Sequence, residues 1–190
     1  MIYITLFLAA VFVNNIVLSQ FLGICPFLGV SKKIETALGM SGAVAFVLTL
    51  STIVTWLVQD LLLTPFHLEF LQTITFILII ASLVQLLEII LKKMVPSLYQ
   101  ALGVFLPLIS TNCAILGVAI LVVQKEFNLI ESTVFALSTA IGFGFALLIF
   151  AGLREQLSLT RIPKAMQGMP IALIVAGLLS MAFMGFAGIA

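Results

Sequence analysis

Two thiols are the side chains of this 190-residue chain whose type and spacing point most directly to chemistry. Cys25-Pro26-Phe27-Leu28-Gly29-Val30 and Cys113-Ala114-Ile115-Leu116-Gly117-Val118 both read C-x-x-L-G-V, 88 positions apart, and they hold the only two cysteines. Thiolates are soft ligands suited to iron–sulfur and zinc sites, and such sites take four ligands. Two thiols therefore amount to half a site. Against this stands the bland reading: a free cysteine in an apolar segment is ordinarily a small hydrophobe. A disulfide between the two is a third reading, and the weakest, since two cysteines in apolar segments make no disulfide framework. Beyond the thiols there is no acid/base pair, no nucleophile with a base and no phosphate-binding glycine loop. Group-transfer catalysis by this chain alone is not expected.

The elements that carry these thiols are membrane spans. Apolar residues make up 63% and charged residues 8% of the sequence, against roughly 45–50% and about 25% in soluble domains. An apolar helix of about 20 residues spans a bilayer core. Charged residues punctuate the apolar runs so as to predict six spans, near residues 2–30, 37–63, 71–91, 97–123, 132–153 and 167–189. The fold class expected is all-α integral membrane, a single polytopic domain over residues 1–190 lying in the lipid bilayer. The start has no basic n-region, so a cleaved signal peptide is not expected, and nucleic acid is excluded as a partner because the few basic residues are explained by topology. Lys32, Lys33, Lys92, Lys93, Arg154, Arg161 and Lys164 fall in loops one, three and five, whereas the even loops hold only Lys125. Seven against one is a positive-inside signal. It places the basic loops in the cytoplasm and both termini outside.

The halves split near Pro96 into repeat one, 1–95, and repeat two, 96–190. A second match, Leu50-Ser51-Thr52 with Leu137-Ser138-Thr139, lies at nearly the same offset from each thiol. Three spans per half is an odd number, so the two repeats are inverted, an arrangement that places sites near the midplane on discontinuous helices. The first and fourth spans have the residues for such breaks near Cys25 and Cys113: Asn14, Asn15, Gly23, Pro26 and Gly29 in one, Pro107, Ser110, Thr111, Asn112 and Gly117 in the other. Pro26 disfavours helical geometry at Cys25 itself. At about 1.5 Å per residue, Cys25 lies about 10 Å from Lys32 and Cys113 about 18 Å from Lys125, both near mid-depth.

The remaining polar groups have structural readings. Asn14, Asn15 and Asn112 serve helix breaks and interhelical hydrogen bonds. Glu88 and Lys92 form an exposed i,i+4 pair. Lys32, Lys33 and Glu35 belong to a solvated loop, and Asp60 and His67 to the outer surface. Arg154-Glu155 is a loop ion pair or a docking point for a cytoplasmic partner. Gly39–Gly42 and Gly142–Gly144 are sites of close helix packing.

Longer phrases carry a resemblance. Val13-Asn14-Asn15 and the run from Phe21 to Lys33 with Glu35-Thr36, the run from Phe105 to Ala114 with Leu116-Gly117-Val118-Ala119, Arg154-Glu155, and Ala182-Phe183-Met184-Gly185-Phe186 together resemble the Rnf/Nqr membrane-subunit family. The wording is that of the A subunit of the Rnf electron-transport complex over nearly the whole chain; the stretch from Thr160 to Met166 matches less well. The E subunit of the sodium-translocating NADH:quinone reductase is the alternative, sharing both cysteine phrases. The resemblance implies an A subunit paired with a homologous six-span E subunit of opposite topology, with further B, C, D and G subunits in the complex. It implies a 2Fe-2S cluster within the membrane, ligated by Cys25 and Cys113 and by two cysteines of that partner. It also implies electron relay between ferredoxin and NAD coupled to sodium or proton translocation, with flavins and other iron–sulfur centres on other subunits. Two rival functions remain: a secondary transporter with a midplane solute site, and a structural subunit with inert thiols.

Overall fold

The computed structural model describes residues 2–66, 69–94, 106–160, 163 and 166–187. The regular elements among the described residues are all helical. They are α1 (Ile2–Leu8), which runs into a π-helical turn at Ala9–Val13; α2 (Ile24–Val30); α3 (Ile34–Val58), prolonged by a π-helical turn at Gln59–Leu63 and followed by single helical turns at Thr64–Phe66 and Glu69–Leu71; α4 (Gln72–Met94); α5 (Leu106–Ser110); α6 (Cys113–Gln124); α7 (Leu129–Leu159); and α8 (Met169–Ala187). His67, Pro96, Phe105, Arg161 and Lys164 lie outside the described residues.

Among the described residues, four helical stretches are long and apolar enough to cross a membrane: Ile34–Leu63, Gln72–Ile90, Pro107–Gln124 and Leu129–Leu159. Met169–Gly185 is a shorter apolar helix. The expected first span does not join them because its helix stops at Val13 and resumes at Ile24. Several residues expected in loops belong to helices. Lys92 and Lys93 form the last turn of α4, where cations complement the helix dipole. Glu88, one turn before Lys92, lies in the same helix and is half-buried. Glu35 sits in the first turn of α3, and exposed Asp60 in the π-helical turn that prolongs it. Arg154 and Glu155 lie within α7. That helix has 31 residues, which at about 1.5 Å each outrun a core about 30 Å thick, so it continues past the membrane boundary expected at residue 153.

The core is built around α3 and α7, with α6 and α4 against α3 and the first-span elements against α7. Between helices in lipid there is no hydrophobic driving force, so close approach of small residues does the holding. A Cβ on Gly144 would come within 3.1 Å of the Ser41 Cβ, and one on Gly142 within 3.2 Å of the Val11 Cα. The expectation of tight packing thus holds at Gly142 and Gly144. It fails at Gly42, where a Cβ would meet nothing within 4 Å. Ser51, Thr52, Ser138 and Thr139 are all buried. The hydroxyls of Ser51 and Thr52 donate to the carbonyl of Leu48, and that of Ser138 to the carbonyl of Val134, so these three hydroxyls are satisfied inside their own helices.

Pro26 does not break the helix at Cys25. It is the third residue of α2, within the first turn, where backbone N–H groups have no intrahelical acceptor and a missing donor costs nothing. The break lies upstream, over residues 14–23. Its pivot is Asn15, fully buried. The Asn15 amide donates to the carbonyls of Val11 (3.1 Å) and Gly142 (2.9 Å), and its Oδ1 accepts from the N–H groups of Val17 (3.1 Å) and Leu18 (3.4 Å). The Ser180 hydroxyl of α8 donates to the carbonyl of Leu18 at 3.0 Å. Backbone released from helical bonding at membrane depth is thereby paired with protein.

Candidate thiol site at two docked helix breaks

Both cysteines stand in the first turn of a half-helix. Cys113 is the first residue of α6, and Cys25 the second of α2. Asn112 caps α6: its Oδ1 accepts the Ala114 N–H at 3.0 Å, the usual way an asparagine satisfies an orphan donor. Gly23 caps α2 with φ +80 and ψ 24, a left-handed conformation that glycine adopts without steric penalty. Phe21, two residues earlier, holds φ +56 with an ordinary side chain, an uncommon conformation for a bulky residue.

The two breaks dock on each other. The Gly23 N–H donates to the Sγ of Cys113 at 2.9 Å. A Cβ on Gly23 would fall 2.9 Å from Phe143 Cε2, 3.1 Å from Ala114 Cβ and 3.3 Å from Asn112 Oδ1. The glycines of the two repeated phrases are used in parallel ways. A Cβ on Gly117 would meet Leu22 Cδ1 at 2.6 Å, and one on Gly29 would meet Leu108 Cδ1 at 3.4 Å. Each phrase glycine therefore receives a leucine from the segment preceding the other thiol.

Both thiols are free in this structure, Cys25 exposed and Cys113 half-buried. Helix N-termini favour negative charge. The Gly23 N–H adds a donor aimed at one sulfur, and the buried Nδ2 of Asn112 has no hydrogen-bond partner. Among the described residues, no group of three or more His, Cys, Asp or Glu could hold a metal ion. The donor set offered here is two thiols. Two thiols are half of the four-thiolate set of an iron–sulfur centre, so this chain alone does not complete one.

The far end of α2 is held by a residue whose part is not visible in the sequence. Arg154 Nη1 donates to the carbonyl of Leu28 and to the Ser31 hydroxyl, both at 2.8 Å. Its guanidinium lies 5.8 Å from the centre of the Phe150 ring, which stacks on Phe27 with centroids 4.3 Å apart. Of the two readings of Arg154-Glu155, a loop ion pair or a docking point for a cytoplasmic partner, the first gives way to this intrachain clamp. The one local signal is the i,i+4 spacing of Phe150 and Arg154, which puts both on one helix face.

Asn14, expected to serve the break, is exposed and ends the π-helical turn, its N–H donating to the carbonyl of Ala9 at 2.7 Å. With Gln20, Thr139 and Lys125 it lines a cavity of about 150 Å³ beside the break. Lys125 Nζ stands over Phe127 and Phe135, 5.7 and 5.3 Å from their ring centres.

Residues 3–190 match the family described as Rnf-Nqr subunit, membrane protein. The chain is 59% identical over 182 residues to the A subunit of the "Ion-translocating oxidoreductase complex" of Syntrophotalea carbinolica, covering 96% of this chain and 94% of that one. It is 58% identical over 185 residues to the A subunit of the "Na(+)-translocating ferredoxin:NAD(+) oxidoreductase complex" of Acetobacterium woodii, covering 97% and 96%. A third relative, from Sodalis glossinidius and named as the first, is 51% identical over 187 residues, covering 98% and 97%. With docked helix breaks, apolar helices and a match over almost its full length, this chain belongs to the Rnf-Nqr family of membrane subunits.

Proposed function

We propose that this chain is the A subunit of an ion-translocating ferredoxin:NAD oxidoreductase complex and forms half of a transmembrane electron relay. In this reading it is a six-span protein of two inverted repeats in the bacterial inner membrane, basic loops in the cytoplasm. It pairs with a homologous E subunit of opposite topology and assembles with the other subunits. Cys25 and Cys113 would hold one side of a 2Fe-2S cluster, and two cysteines of the partner the other. When bound, such a cluster supplies a one-electron stopping point between the faces of a core about 30 Å thick. The observation that carries the reading is the pair of free thiols in the first turns of two mutually docked half-helices, one of them already accepting a backbone N–H. The names of relatives that match over nearly their whole length support its A-subunit part.

The chain's own residues do the holding. Asn112 and Gly23 cap the half-helices and set where each sulfur stands. Gly23 N–H stabilises negative charge on the Cys113 sulfur, and a charged acceptor strengthens such a bond. The ion coupled to electron transfer is sodium in the name of one relative, and sodium is the ion we assign here.

Cys25→Ser and Cys113→Ser in the purified complex should each abolish a 2Fe-2S EPR signal and lower iron content while the complex still assembles in part. Unchanged iron and an unchanged spectrum in both variants would overturn the reading. A secondary transporter has one observation in its favour, the cavity of about 150 Å³ beside the break, mostly apolar but with Asn14, Gln20, Lys125 and Thr139 in its wall. It requires solute uptake by the isolated chain in liposomes, which the relay does not.

A further inference from the structure

The half-helix that carries Cys25 is only seven residues long and would be marginal on its own. Its N-terminal end is fixed by the Gly23 turn against Cys113. Its C-terminal end is fixed from 126 residues away by Arg154. The carbonyl that Arg154 binds, that of Leu28, lies one turn from Cys25 and is among the last of α2, which have no intrahelical partner. The Ser31 hydroxyl accepts from the same Nη1. Phe150, four residues before Arg154, stacks on Phe27 and closes the same contact from its apolar side. Thr36 Oγ1 donates to the Val30 carbonyl at 3.2 Å, a bond made close by in sequence. The polar tie between this helix end and α7 is the Arg154 guanidinium.

We propose that Arg154 is the positioning residue for Cys25: its guanidinium, bound to Leu28 O and Ser31 Oγ, locks the short helix that presents this thiol to the cluster and keeps a cation at the C-terminal end of that helix. The proposal rests on the shared-cluster reading. A bidentate-capable, planar, permanently charged group suits this task, and lysine reproduces the charge without the fork. The cation at the C-terminal end of α2 also complements the dipole there.

The test uses the purified complex with Arg154→Met, Arg154→Lys and the milder Ser31→Ala. Backbone amide exchange in the segment 25–31 should rise about tenfold in Arg154→Met, as expected when a charged hydrogen bond anchoring a local unit is lost, and less in Ser31→Ala. Iron content should stay at the wild-type level. The cluster's midpoint potential should fall in Arg154→Met, because losing a nearby cation favours the more oxidised state, and should be restored toward wild type in Arg154→Lys. Exchange unchanged in both Arg154→Met and Ser31→Ala would remove the clamp. Faster exchange with an unmoved potential and unmoved EPR line shape would reduce Arg154 to a structural residue and also overturn the proposal. If Arg154→Met fails to assemble, the same two readouts on Arg154→Lys and Ser31→Ala decide it. Failure of the cluster reading is seen separately, as absence of a 2Fe-2S signal in the wild-type complex.

Discussion

Gly23 sits where three demands meet. Its φ of +80 needs a residue without a Cβ, that missing Cβ would overlap Phe143, and its N–H is committed to the Cys113 sulfur. Gly23→Ala should therefore cost about 1–2 kcal/mol in backbone strain and about 1–3 kcal/mol more in overpacking. The complex should show lower thermal stability in detergent, and any EPR signal dependent on Cys113 should broaden. A variant as stable as wild type with an unaltered spectrum would mean that the turn does not position the sulfur. The two thiols can be read from sequence because cysteine is rare here and the phrase around it repeats. The parts played by Gly23 and Arg154 cannot. Each acts on a residue about a hundred positions away, Gly23 on Cys113 and Arg154 on Leu28, and nothing local marks such a partner. The two asparagines fall between: Asn15 and Asn112 read as break residues, but the Asn15 bond to Gly142 exists only once α7 is in place.

At the scale of elements, α7 is the common support. It meets α3 through Gly144 and Ser41, the π-helical turn through Gly142 and Val11, and α2 through Phe150 and Arg154. A bulky side chain at position 142 must displace the backbone of the π-helical turn and the Asn15 amide, which a Cβ there would approach at 3.3 Å. Gly142→Leu should therefore destabilise by about 1–3 kcal/mol and shift the first-span break as a unit. Protease sensitivity within residues 14–23 should rise while the α6 segment stays protected; equal protection in both would show that α7 does not hold the break. Gly152, also in α7, meets nothing within 4 Å, so Gly152→Leu is the matched control and should be close to neutral. Clusters of Asn, Gly and Pro make the breaks legible, yet not their placement. Proline beside Cys25 reads as a helix breaker, whereas in the first turn of α2 it loses no bond. Helix ends are harder to place where charged residues resemble loops, because lysine and arginine at the end of a long helix are compatible with both.

For the molecule as a whole, the strongest sequence signal is charge asymmetry, and its consequence is a fixed sidedness. Lys32 and Lys33 precede α3, Lys92 and Lys93 end α4, and Arg154 lies near the end of α7, while Lys125 ends α6 and faces Phe127 and Phe135. Two crossings between successive basic sites leave those sites on one side and Lys125, one crossing away, on the other, and the side rich in basic residues is expected to be the cytoplasm. If α1 and α2 together cross once, the two thiol-bearing half-helices enter from opposite faces and meet where Gly23 touches Cys113. Reporter fusions decide this. A fluorescent protein fused after Lys93 should light up, one fused after Glu126 should stay dark, and alkaline phosphatase at the same two sites should give the reverse. Moving charge tests the cause: replacing Lys32 and Lys33 with glutamine, with glutamine at Lys92 and Lys93 as well, should produce a mixed population with both reporters active at each site. The same reporter active at both sites in the natural sequence would show that the segment carrying Cys113 does not cross the membrane between them, and the inverted-repeat reading would fall.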